Sequence, residues 1–199
     1  MHIADGIIDL RISIAANVVS VALIYVAGRK VAPDEIPKMG VTGAALFVAS
    51  LVHIPFAGTS IHPGLLGIAG IILGKRAFPV IFTLLLFQSL VFQHGGLLSV
   101  GVNSLNMGAG AFVAWLIWRQ RFIPEYLRAA LAGFIGIMVP ALLMAVEFHL
   151  SDYGRGIFYL LSVYVVAAAL EGFLTLFVVK FFRKTKPGIL SRTWKSHDD

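Results

Sequence analysis

Met1-His2-Ile3-Ala4-Asp5-Gly6 opens the chain, and the rest reads as a membrane-embedded frame that holds this terminus against a second histidine. Histidine is too bulky a neighbour for routine removal of the initiator methionine, so Met1 is expected to stay. Once deformylated, it offers a free α-amine with a pKa of roughly 8. That amine, the His2 backbone nitrogen (once a metal displaces its proton) and the His2 imidazole close two fused chelate rings. Three nitrogens in one plane lack only a fourth, and an all-nitrogen planar set suits Ni(II) or Cu(II). The plainer alternative is an exposed histidine after the initiator, and the hexapeptide alone does not exclude it. A secretory leader fits poorly. Nothing before Arg11 is Lys or Arg, Asp5 and Asp9 are acidic, and Tyr25-Val26-Ala27 runs on into Gly28-Arg29-Lys30 without a small-residue cleavage site. The terminus is expected to be the mature one.

The 199-residue chain as a whole is 58% hydrophobic and only 13% charged, with a mean hydropathy of +0.88. A soluble domain carries about 25% charged residues, so the composition is that of an integral membrane protein. At roughly 20 residues per span, six or seven helices fit and no soluble domain does. The net charge of +6 then reports topology, and no nucleic-acid partner is expected. There are no cysteines, which excludes disulfides and thiolate metal sites. A bound metal would take nitrogen and oxygen ligands, with methionine sulfur as the remaining soft donor.

Seven apolar segments run over 8–27, 39–52, 63–73, 77–92, 107–118, 126–148 and 157–182. The expected architecture is an all-α integral membrane protein of seven transmembrane helices. Its single domain, 1–199, divides into a metal-binding terminus (1–7), a seven-helix bundle (8–182) and a basic cytoplasmic tail (183–199). The third and fifth segments are short for a span, and short glycine-interrupted segments in transporters line binding regions. Charge supports the count. With the N-terminus outside and inserted into the bundle, the inner side holds Arg29, Lys30, Lys38, Lys75, Arg76, Arg119, Arg121 and Arg128, with Lys180 to Lys195 at the C-terminal end. Only Arg11 and Arg155 fall outside, a strong positive-inside pattern with the C-terminus cytoplasmic.

The same topology places His2, His53, His62, His94 and His149 on the outer side and His197 in the inner tail. The loop over 53–64 has no Lys or Arg, and that over 94–106 has no charge at all. Glycine-rich loops with clustered His and Asn can fold over a site and present neutral ligands. Read plainly, they are turns and helix caps, Thr59 and Ser60 before Pro63 being suited to that. The loops alone leave both readings open.

Met1-His2-Ile3 through Asp5-Gly6, Ile54-Pro55, Gly58-Thr59-Ser60-Ile61-His62-Pro63, Phe87-Gln88, His94-Gly95-Gly96-Leu97, Gly101-Val102-Asn103, and Glu171-Gly172 before a basic tail follow one another in order. Together they resemble the substrate-capture (S) subunits of cobalt and nickel energy-coupling-factor transporters, the CbiM/NikM family, over nearly the whole chain. The resemblance implies seven helices, with one N-terminal helix more than vitamin-type capture subunits have. It implies that the terminus ligates the metal through the Met1 amine, the His2 backbone nitrogen and imidazole, and the His62 imidazole. His94, Asn103 and Asn106 are expected to orient ligating imidazoles or brace the loop, while His53 does the same or faces water. The cargo would be Ni2+ or Co2+, with no resident cofactor. Partners would be a transmembrane coupling (T) subunit, cytoplasmic ATPase subunits and, for some members, a small accessory membrane subunit, all in a prokaryotic cell membrane among lipid.

One residue departs from an easy match. Arg11 sits just inside the first apolar segment, where it is expected to snorkel outward or pair with Asp5 or Asp9. Glu171 is the one carboxylate well inside an apolar segment. A functional role is the default for such a group, but a structural hydrogen bond, to Asn17 or Ser162, is the favoured expectation. The chain has no G-x-x-x-x-G-K-[ST] run, so energy for transport must come from partners. Gly40/Ala44 and Ala45/Ala49 give small-xxx-small spacing for close helix approach. An intramembrane enzyme is disfavoured because H-E-x-x-H and G-x-S-x-G are absent. A vitamin-type capture subunit would need an aromatic, apolar site where this chain offers imidazoles and asparagines. A self-powered secondary transporter would need inverted repeats and paired carboxylates.

Overall fold

A helix surrounded by lipid needs no polar face, so here the inward side of each helix is recognised by its small residues. The computed structural model describes residues 2–52, 54–56, 59–151, 153 and 157–190. Helix α1 (Leu10–Gly28) begins at Asp9, whose carboxylate accepts the Arg11 N–H at 2.8 Å. It buries only Ser13, Ala16 and Ser20 and turns Val18, Val21 and Tyr25 outward. After it come α2 (Glu35–Ser50) and a two-stranded antiparallel ribbon, β1 (Ile54–Phe56) and β2 (Thr59–Ile61), in register Ile54 to Ile61. Helix α3 (Leu66–Leu73) is buried at every residue. A 3-10 turn over Gly74–Arg76 leads into α4 (Ala77–Phe92), then α5 (Val100–Arg119), α6 (Glu125–Leu150) and α7 (Ile157–Thr185).

Polar contacts fix which ends lie together. At one end the Arg76 guanidinium takes the carbonyls of Ala27 (2.5 Å) and Lys30 (2.7 Å) and the Glu35 carboxylate (2.8 Å), closing the end of α1 onto the turn before α4. There too Lys75 and Arg119 flank the Trp115 ring at 5.9 and 4.9 Å, and Arg183 pairs with Glu125. The opposite end gathers the N-terminal segment, His62, His94 and the start of α5. The chain stays packed as far as Leu190, and Lys38 Nζ donates to the Ile189 carbonyl at 3.3 Å.

Two helix crossings are closed by paired glycines. A Cβ on Gly67 of α3 would meet the Gly133 Cα of α6 at 2.5 Å, and one on Gly110 of α5 would run into the Gly136 carbonyl of α6. Around these contacts α3, α5, α6 and α7 form the tight half of the molecule. Helix α2 lies looser, between apolar grooves toward α4 and toward α7.

Two expectations change. Seven helices appear in the expected order among the described residues. Among the described residues, however, only five stretches are long and apolar enough to cross a membrane: α1, 66–92 counted through the turn, α5, α6 and α7. Helix α3, at eight residues, spans about 12 Å, far short of a hydrocarbon core of about 30 Å. The second change is the loop read over 94–106, which ends at Ser99. Residues 100–106 are the first two turns of α5, and hydropathy missed them because Asn103, Ser104 and Asn106 are polar yet buried. The fold remains that of a multi-pass, almost wholly helical membrane protein.

Gly110→Ala places a methyl against the Gly136 carbonyl and Pro140, overpacking that costs about 1–3 kcal/mol. Thermal unfolding of the detergent-solubilised protein is expected to shift clearly downward. Gly40→Ala on α2, where a Cβ meets nothing within 4 Å, is expected to hold or slightly raise the midpoint, since alanine favours the helix over glycine.

Candidate metal centre

The N-terminal segment enters the bundle as irregular chain, so its peptide groups need partners from other elements. Asn103 of α5 supplies two: its Oδ1 accepts the Ile3 N–H at 2.8 Å and its Nδ2 donates to the Ile3 carbonyl at 2.9 Å. The Ile3 side chain is 1% exposed and packs with Ile8, Ala16, Val102, Met144 and Phe148. Next along, Asp5 accepts the N–H groups of Ser99 (2.8 Å) and Leu98 (3.3 Å), and Ser99 Oγ donates to the Ala4 carbonyl. The terminus thus closes the start of α5 from outside that helix. Helix α1 braces the same corner, its Asn17 donating to the Leu98 carbonyl at 2.7 Å.

This anchoring sets the His2 imidazole between two others. His2 Nδ1 lies 3.1 Å from His62 Nε2 and 3.0 Å from His94 Nε2, and one nitrogen from each ring falls within 4.8 Å of the others. His62 comes from the chain between β2 and α3. His94 follows α4, which ends with Gln93 in the left-handed region (φ 51) and the His94 N–H on the Gln88 carbonyl at 3.2 Å. Gly95, at φ +80, then folds the loop over His2. Two nitrogens bound to one ion at about 2.0–2.1 Å lie about 2.9 Å apart at a right angle and about 3.3 Å apart at a tetrahedral angle. The two separations from His2 Nδ1 fall between those values.

The protonation pattern suits metal binding. Burial first, then the positive charge of the N-terminus and the neighbouring His62 and His94 rings, push the His2 pKa well below its ordinary value of 6.5, so the ring is neutral with a lone pair to give. His62 Nδ1 sits 3.4 Å from the Pro63 carbonyl, an acceptor that favours the tautomer with its proton on Nδ1 and a lone pair on Nε2, facing His2. His2 Nε2 is buried without a hydrogen-bond partner among the described residues, as is Gln88 Oε1. The Gln88 side chain neighbours that ring, and an Nε2–H tautomer of His2 directed at it leaves Nδ1 free for a metal.

The expected residues thus divide. His2, His62 and His94 converge, and His94 stands as close to His2 Nδ1 as His62 does. Asn103 holds the backbone beside His2. Asn106 instead donates to Glu147 of α6 at 2.7 Å. Met1 and His53 lie outside the described residues. Arg11 is exposed, while Asp5 and Asp9 are engaged with backbone amides. Gln88 and Asp5 were not singled out for the site from the sequence. The signal for Gln88 was a lone amide in the middle of an apolar helix, and that for Asp5 an acidic residue too early in the chain to cap its own helix.

Comparison with known proteins agrees with the fold. A family model for the cobalt uptake substrate-specific transmembrane region matches residues 2–189. A protein of Haemophilus influenzae named for metal transport is 30% identical, over 97% of this chain and 98% of its own. The fused nickel transport protein NikMN of Rhodobacter capsulatus is 30% identical over 96% of this chain, which spans 64% of that longer protein. A crystal structure of a transition metal transporter superposes with a TM-score of 0.83 at 25% identity, covering 92% of this chain and 93% of the other.

Asn103→Leu removes both hydrogen bonds to Ile3 and leaves a buried N–H and C=O unpaired, at about 1–3 kcal/mol for each group. Hydrogen exchange at the Ile3 amide is expected to rise at least tenfold, with little change in α6 and α7. Asn103→Asp, which keeps only the acceptor, should fall between that variant and the parent chain.

Proposed function

The chain belongs to the cobalt uptake substrate-specific transmembrane family, and from that premise we propose that it captures divalent nickel or cobalt for uptake across a prokaryotic cell membrane. The observation that carries this reading is the convergence of His2 Nδ1 with His62 Nε2 and His94 Nε2. In the proposed site the Met1 amine, the His2 backbone nitrogen and the His2 imidazole form fused chelate rings, and His62 closes the plane. That donor set favours Ni(II) over Co(II) on intrinsic grounds, and partners or supply decide which ion is carried. Seven membrane-embedded helices would put the metal terminus outside and the C-terminus in the cytoplasm, as the positive-inside distribution supports.

Capture is then followed by energised release. The ion sheds water beneath the loops that carry His62 and His94 and is passed inward with partner subunits. The fusion named in the R. capsulatus relative supports a multi-component assembly. A transmembrane coupling subunit and cytoplasmic ATPases of the energy-coupling-factor type would provide the nucleotide chemistry, and the small residues Gly40, Ala44, Ala45 and Ala49 suit close helix docking.

Purified protein with its native terminus is expected to bind one Ni2+ or Co2+ tightly. Extending the chain by a few residues before Met1 is expected to abolish that binding, because the terminal amine becomes a peptide nitrogen. Isothermal titration of both forms checks it. Equal binding by the two would remove the terminal chelate and leave the three histidines as the site. Binding by neither would sink metal capture.

A further inference from the structure

Glu171 of α7 is 3% exposed, and nothing in the capture scheme uses it. Its partners are neither Asn17 nor Ser162. Oε1 accepts the backbone N–H groups of Gly64 and, at 2.9 Å, Leu65, and Oε2 lies 3.1 Å from the Leu65 N–H. These groups sit at the start of α3, where the first N–H groups of a helix have no partner of their own. Leu65 is held at φ 49, ψ 31, a left-handed conformation rare for a branched side chain. Pro63 has no N–H. The chain between His62 and α3 therefore offers only two backbone donors, and Glu171 takes both.

Packing does not hold this turn from every side. A cavity of about 300 Å³, lined by His62, Gly64, Met107, Tyr164, Glu171 and Leu174 among others, borders it. Freed of its hydrogen bonds, the turn has room to relax, and His62 moves with it. Asn103 does the equivalent for His2 from α5, so the two rings are aligned by separate helices.

We infer that Glu171 is a positioning residue of the ion site, its carboxylate fixing the turn 62–65 and with it the place of the His62 imidazole. The inference rests on His62 being a ligand of the carried ion. It makes α7, which touches the ion nowhere, a determinant of how tightly the ion is held.

A double-mutant cycle on the full chain with its native terminus, in detergent, tests this by competition for Ni2+ against a chelating dye. Glu171→Leu is expected to weaken binding about 10–100-fold, the usual effect of removing a group that orients a metal ligand. In a His62→Ala background the same change is expected to add nothing, because the imidazole it positions is gone. Glu171→Gln, which keeps one carbonyl oxygen for the two amides, is expected to bind close to the parent chain. Should Glu171→Leu fail to fold, Glu171→Asp, its carboxylate about 1.5 Å short of reach, takes its place in the cycle. Unchanged affinity in the single variant, or an equal further loss on top of His62→Ala, would overturn the inference while leaving metal capture standing. Absence of ion binding by the parent chain would remove the capture reading and this inference with it.

Discussion

The Asn103 amide on the Ile3 peptide group is the contact on which the rest of the site depends. Chain outside helices and sheets carries a donor and an acceptor at every residue that no regular ladder pairs, and in a membrane those groups must find partners within the protein. One side-chain amide offers both complements in one plane, so a single residue of α5 can receive a stretch of backbone without a sheet. The Ile3 side chain adds apolar burial at the same point, and the two together fix the peptide beside His2. Asp5 and Ser99 repeat the device one turn outward. A terminus merely lying on the surface would place its imidazole nowhere in particular. This one is pinned at Ile3, Ala4 and Asp5 before α1 begins.

The division of the helix bundle follows from that requirement. Where α3, α5, α6 and α7 cross, glycine meets glycine or backbone, and such contacts leave little freedom to slide. The residues that present the site hang from this half: Asn103 on α5, Glu171 on α7, and His62 at the start of α3. Helix α1 meets α5 through Asn17, Ser20 and Gly101, polar and small groups that locate it without a large apolar interface. Most of its surface, like the outer faces of α6 and α7, is apolar and suited to lipid.

Much of this was legible in the sequence, for identifiable reasons. The helix order and the segment 77–92 followed from apolar run length, which membrane helices obey because lipid admits no polar interruption. His2 and His62 stood out through their chemistry and the family resemblance. Hydropathy hid the start of α5, since Asn103, Ser104 and Asn106 look like loop residues until their buried partners are known. It also made α3 resemble a span, because a short helix buried inside the protein is as apolar as one facing lipid. The partner of Glu171 could not be read at all. A carboxylate that bonds to backbone amides more than 100 residues away leaves no side-chain pattern to match, and side-chain candidates such as Asn17 and Ser162 were the wrong place to look.

The three imidazoles gathered at the candidate site carry no negative charge, and this bears on how an ion could be both held and surrendered. Asp5 and Glu171, the carboxylates tied into the surrounding loops, are each occupied by two backbone N–H groups. A cage of carboxylates holds a divalent ion by Coulomb attraction, which falls only as the inverse of distance, so a small displacement of one ligand changes little. Lone pairs on neutral imidazoles act over bond lengths of about 2 Å and in one direction. A shift of an ångström in one ring then removes most of that ring's contribution. The rings reach the site from three separate segments, the terminus, the turn before α3 and the end of α4, so relative movement of those segments separates the donors. A site of this kind can bind tightly while aligned and release when one helix moves, which is the physical demand on a carrier as opposed to a store.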